Sequence, residues 1–145
     1  IEAGALLATT DDEVIARYRG FGWALGLAFQ LNDDLLGIWG PEQTTGKEPS
    51  DLLHRKKTLP VIYAWEHAGP EDRDRLARFY ATTDPSTADV TEVIDILERS
   101  GAREYTRDQA RRYRDEALAE LDAAGVVKPA ARARLEDIIV SVISA

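Results

Sequence analysis

The chain has 145 residues, 44% of them hydrophobic, which is enough for one domain with a core. Its formal net charge of -8 argues against a nucleic-acid binder, because phosphate backbones are held by excess Lys and Arg. Cysteine and methionine are both absent, which removes disulfides and thiolate metal sites and leads us to expect a piece of a longer chain or a processed product.

The opening, IEAGALLATTDDE, lacks the basic start and small-residue cleavage site of a secretory signal, so a cytoplasmic location is expected. A short helix is predicted over Glu2 to Ala8. Thr10, with Glu13 three places on, then reads as a capping box opening a long helix that runs to about Ile38. Gly40 and Pro41 end it, and Glu42 to Lys56, with Gly46, Pro49 and Ser50, reads as a long polar loop of the kind that usually carries function.

Thr58 to His67, with Pro60 in its first turn, is predicted helical, and Pro70 opens another helix to about Tyr80. Thr82 to Ala88 is a turn-rich connector. Val90, Val93, Ile94 and Leu97 form one buried stripe at helical spacing, and Ala110, Tyr113, Ala117, Leu121 and Ala124 form another. The last helix starts near Pro129, with a stripe of Leu135, Ile138, Ile139 and Val142. Its apolar run, Ile138 to Ile143, is flanked by Arg132, Arg134, Glu136 and Asp137 and falls short of the roughly 18 to 20 residues that span a bilayer, so no transmembrane segment is expected. With strand signals nearly missing, the fold class is all-α.

On the long helix, Gln30, Asp33, Asp34 and Gly37 share one face, preceded on it by Gly26 and Gly22. Each interior glycine costs a helix about 1 kcal/mol relative to alanine, so a close neighbour is expected there. Asp33 and Asp34 lie in an otherwise apolar stretch, from Trp23 to Trp39, where carboxylates need a cation, a lysine or water. Magnesium commonly takes one or two carboxylates and completes its shell with water and phosphate oxygens. The following loop carries Lys47, Asp51, Lys56 and Lys57, which suits the departure of a diphosphate, whose developing negative charge must be met by positive groups.

FQLNDDLLGIWG followed by TGKEPSDLLHRKKTLPVIYA resembles the trans-isoprenyl diphosphate synthase family, whose C-terminal half carries FQxxDDxxD, then GKxxGxD, then KKTLP. The spacing from Asp33 through Lys47 to Lys56 follows the family's, and the helix pattern extends the likeness over the whole chain. The resemblance implies a helical bundle of the isoprenoid synthase type, with residues 1–145 forming the C-terminal part of a single domain. It implies magnesium-dependent condensation of isopentenyl diphosphate with an allylic prenyl diphosphate to a longer (E)-prenyl diphosphate, usually by a homodimer. Asp33 would be a direct magnesium ligand and Asp34 a ligand or an acceptor behind it. Lys47 and Lys56 would contact the allylic diphosphate, Gln30 would sit near the nascent cation, Phe29 would pack on the homoallylic substrate, and Asp51 would orient the loop.

Two positions depart from the family. Gly37 stands where the motif has a third aspartate, and EPSD replaces the loop's usual glycine-containing turn. The first aspartate-rich motif, the basic residues for isopentenyl diphosphate and the Lys-Thr pair would all precede Ile1, so the fragment alone is expected not to turn over without the N-terminal half. A terpene cyclase of the same fold and a non-catalytic partner subunit of a synthase are the alternatives. His54 and His67 read as surface residues; Trp23, Trp39, Tyr63 and Trp65 as packing residues; and the arginines of ARRYRDEALAEL as an ion-paired helix face.

Overall fold

The computed structural model describes residues 1–40, 50–125 and 128–142. Among the described residues the regular structure is helix alone: α1 (Glu2–Ala8), α2 (Asp12–Trp39), α3 (Ser50–Leu53), α4 (Leu59–His67), α5 (Pro70–Ala81), α6 (Thr87–Arg99), α7 (Ala102–Ala123) and α8 (Pro129–Val142). The all-α expectation holds. No helix among these residues is long and apolar enough to cross a membrane.

The start of α2 differs from the expected capping box. Asp11, not Thr10, accepts from the backbone N–H groups of Glu13 and Val14, at 2.9 and 3.3 Å, while Thr9 Oγ1 accepts from Asp11 N–H. A carboxylate placed directly before the first turn meets both the orphan donors and the positive end of the helix dipole, which a hydroxyl one residue earlier cannot do. The capping box that does form is at α6, where Ser86 Oγ accepts from Asp89 N–H and the Asp89 carboxylate accepts from Ser86 N–H.

Two compact units divide the chain: Ile1–Asn32 with Gln109–Ser144, and Asp33–Asp108. In the first, Phe21, Ala24, Ala117, Leu121 and Ile139 pack together, bordered by Tyr18, Leu25, Leu118 and Leu135. Gly22 has the close neighbour its position called for, since a Cβ there would stand 3.2 Å from the Ile1 side chain. Gly26 has none within 4 Å. The stripe predicted for α8 is narrower than expected: Ile139 is fully buried, but Ile138 is 48% exposed.

The second unit has the larger core. Ile38, Leu52, Val61, Ala64, Leu76, Phe79, Val90, Val93, Ile96, Leu97 and Ala102 are buried against one another. Proline at the start of α4 and of α5 suits a first turn whose N–H groups have no intrahelical partner. Leu52 corrects the reading of residues 42–56 as one polar loop. It is fully buried in this core, and its burial holds the single turn of α3 in place.

Leu52→Ala therefore removes a core anchor and is expected to lower the unfolding free energy by about 2–5 kcal/mol. Denaturant titration of the purified chain measures it, and a loss well under 1 kcal/mol would mean that α3 is not fixed by this side chain.

Candidate functional site

Near its C-terminal end, α2 presents Asp33 and Asp34 in different settings. Consecutive helix residues point about 100° apart, so one can face solvent while its neighbour turns inward. Asp33 is exposed, whereas Asp34 is buried, at 7% exposure. Asp34 Oδ2 accepts from Leu59 N–H at 3.4 Å, at the N-terminus of α4, where the unsatisfied N–H groups and the helix dipole favour an anion. The face read from spacing is thus half covered at Asp34.

The second pair is built by the turn that ends α3. Arg55 N–H donates to the carbonyl of Leu52 at 2.8 Å and Lys56 N–H to that of Asp51 at 2.9 Å, with Arg55 at φ 53°. This is the double-bonded Schellman ending of a helix, in which the left-handed residue is usually glycine. Such an ending brings the side chains of its first and sixth residues together, and here they are oppositely charged. Lys56 Nζ lies 2.5 Å from Asp51 Oδ1, the lysine half exposed and the aspartate only 5% exposed by side chain.

A third group completes the junction. A Cβ added at Gly37 would overlap the Asp51 carboxylate, so that carboxylate rests directly on the bare backbone of α2. Asp51, and at longer range Asp33 and Asp34, hold the Lys56 ammonium above the ordinary lysine range. Tyr80 O–H donates to the Lys56 carbonyl at 2.9 Å, fixing the main chain from the far side. Burial, and then Asp51, push the Tyr80 phenol well above its usual pKa, which keeps it a neutral donor.

Of the sequence-predicted residues, Asp51 and Lys56 are in contact, and Asp33 and Asp34 lie within their electrostatic reach. Lys47 falls outside the described residues. Phe29 and Gln30 stand on the preceding turn of α2, both exposed. Arg55 and Tyr80 were missed by sequence reading. Arginine gives no sign of a left-handed position, and Tyr80 is 24 residues from its acceptor.

The bland residues divide. Trp39 borders the core with the Arg103 guanidinium 5.4 Å from its ring centroid, and Tyr63 stacks between His67 and Tyr105. Trp23, 60% exposed, packs edge-on against the Tyr113 ring at 5.7 Å between centroids, and Trp65 is 46% exposed. Both histidines are on the surface, His67 Nδ1 lying 2.8 Å from the Tyr63 carbonyl. Within ARRYRDEALAEL, Arg114 pairs with Asp115, while the Arg112 guanidinium lies 4.8 Å from the Tyr113 ring centroid; one turn earlier Arg107 pairs with Glu104.

Among the described residues no three His, Asp or Glu side chains gather closely enough to cage a cation by themselves. One exposed carboxylate with a buried neighbour behind it does fit a magnesium ion that draws the rest of its shell from water and phosphate oxygens.

The family model for polyprenyl synthetase matches residues 1–97. The chain is 42% identical to a (2E,6E)-farnesyl diphosphate synthase of Mycobacterium bovis over 116 residues, covering 77% of this chain and 32% of the relative. It is 35% identical to heptaprenyl diphosphate synthase component 2 of Geobacillus stearothermophilus over 140 residues, 94% of this chain and 41% of that one. The crystal structure of a polyprenyl synthase from Caulobacter crescentus CB15, complexed with calcium and isoprenyl diphosphate, superposes with a TM-score of 0.85 at 34% identity, covering 99% of this chain and 44% of that one. The chain thus spans about a third to under a half of the length of these relatives. On the match to its first 97 residues and these identities, this chain belongs to the polyprenyl synthetase family.

Proposed function

We propose that this chain is the C-terminal part of a synthase domain that condenses isopentenyl diphosphate with an allylic prenyl diphosphate, and that its share of the work is to hold the departing diphosphate. The observation that carries this reading is the Lys56 ammonium, half exposed, fixed by Asp51 and within the longer-range field of Asp33. A diphosphate oxygen can approach the open side of that ammonium, while Asp33, exposed on α2, would be open to a cation.

In this mechanism Lys56, with Lys47 from the preceding loop, binds the diphosphate and meets the charge that grows on its oxygen as the allylic C–O bond breaks. Asp33, with Asp34 behind it, would hold magnesium, which supplies Lewis-acid neutralisation of the leaving group. Gln30 would lie beside the allylic cation and Phe29 against the homoallylic chain. The double bond of isopentenyl diphosphate then adds to the cation, and loss of a proton closes the cycle.

The N-terminal part of the domain, a cytoplasmic setting and a homodimer belong to the same proposal. The name of the Geobacillus relative, a component 2, supports a second reading in which the chain serves as a subunit of an enzyme made with a partner. Incubating the full-length protein with an allylic diphosphate, with and without isopentenyl diphosphate, separates the readings. A longer diphosphate formed only when both are present supports the synthase. Hydrocarbon or alcohol without isopentenyl diphosphate indicates a cyclase, and turnover only after mixing with another subunit indicates the second reading.

In that protein Asp33→Ala is expected to lower kcat by about 100-fold or more and to raise the magnesium concentration needed for half-maximal rate. Unchanged kinetics would remove Asp33 from the site. Asp51→Asn is expected to bring the Lys56 titration midpoint down towards the ordinary 10.5, measured by carbon NMR of the lysine side chain. Because the folded value lies above 10.5, the pair's contribution to stability is complete below that pH and is lost as pH rises through the raised midpoint. A midpoint indifferent to Asp51→Asn would mean that the ion pair does not form in solution.

A further inference from the structure

Gly37 stands where the family motif carries its third aspartate, and the junction gives that absence a physical meaning. A Cβ at this position would overlap Oδ2 and Cγ of Asp51. The Asp51 side chain has no evident retreat, since it is 5% exposed and its residue is fixed in α3, whose neighbouring Leu52 is fully buried. The C-terminal turn of α3 ties the backbone of Lys56 to the carbonyl of Asp51, and the ammonium lies 2.5 Å from the Asp51 carboxylate, so a displacement of that carboxylate is passed to the ammonium.

We propose that Gly37 is a positioning residue: the bare backbone of α2 is the seat on which Asp51 rests, and through Asp51 it sets where Lys56 meets the diphosphate. With Asp51 placed as it is here, a side chain at 37 would overlap its carboxylate, so one of the two would have to shift. This inference rests on the diphosphate-holding role proposed above only for its consequence in catalysis; the seat itself is a statement about Gly37, Asp51 and Lys56.

The test is a double-mutant cycle in the full-length protein, read by amine acetylation of Lys56 relative to its neighbour Lys57 by mass spectrometry. Lys57 is the internal standard, since it is exposed and lines an apolar pocket with Ile62 and Trp65 rather than meeting Asp51. In the parent, Lys56 is expected to react several-fold more slowly than Lys57. Gly37→Ala is expected to bring the ratio towards one, as is Asp51→Ala. In the Asp51→Ala background, Gly37→Ala is expected to change nothing further. Alanine is the better helix former, so loss of the helix is not the anticipated cause, and circular dichroism checks it. Should Gly37→Ala unfold the protein while the double variant folds, the overlap with Asp51 is again supported. An unchanged ratio in Gly37→Ala, or an equal change in both backgrounds, overturns the proposal.

The catalytic arm uses Gly37→Asp, which restores the motif's third carboxylate. With Asp51 present it is expected to lower kcat and raise KM for the allylic diphosphate, at least 10-fold in kcat/KM; a faster enzyme would overturn the positioning role. If the parent has no prenyltransferase activity but the labelling cycle behaves as stated, the functional reading fails and the seat stands.

Discussion

A single charge pair organises the second unit's functional edge. Asp51 is removed from water by α2 on one side and by its own turn on the other, and a carboxylate so placed needs a cation within reach. Lys56 is that cation, delivered by the hydrogen bonds that end α3. Because only one face of the ammonium is used, the other remains available to a ligand. The same contact that satisfies a buried acid thereby leaves a half-exposed cation within the longer-range field of Asp33.

The two adjacent aspartates of α2 divide their work by geometry. Asp34 turns inward and caps the first turn of α4, which fixes the chain between α3 and α4. Asp33, about 100° round the helix, stays open. The pair, read in sequence as a direct magnesium ligand followed by a ligand or an acceptor behind it, is in space one outward carboxylate and one inward tie. The inward one still acts on the site at a distance, since its charge helps keep Lys56 protonated.

Much of this was legible beforehand. Helical period and the Gly, Pro and capping signals located α1, α4, α5 and the stripe of α6 closely, because each rests on local backbone chemistry. The multi-part pattern also named Asp33, Asp34, Asp51 and Lys56, of which Asp51 and Lys56 are in contact and the two aspartates of α2 within electrostatic reach. What escaped was set by packing. Leu52 draws a helical turn out of a polar stretch, Arg55 adopts a left-handed conformation with nothing in its side chain to announce it, and Tyr80 reaches Lys56 from a helix far along the chain. Gly37 read as a deficit until its Cα was seen to carry the Asp51 carboxylate. Asp11 displaced Thr10 as the cap of α2 because a carboxylate next to the first turn is the stronger acceptor.

The most direct measurement of the central claim is a crystal structure of the full-length protein soaked with magnesium and an unreactive allylic diphosphate analogue. The account predicts diphosphate oxygens within about 3 Å of Lys56 Nζ, a metal on Asp33, and Asp51 still seated against Gly37. A diphosphate bound elsewhere, with Asp33 facing bulk water and Lys56 paired to Asp51 alone, would contradict it.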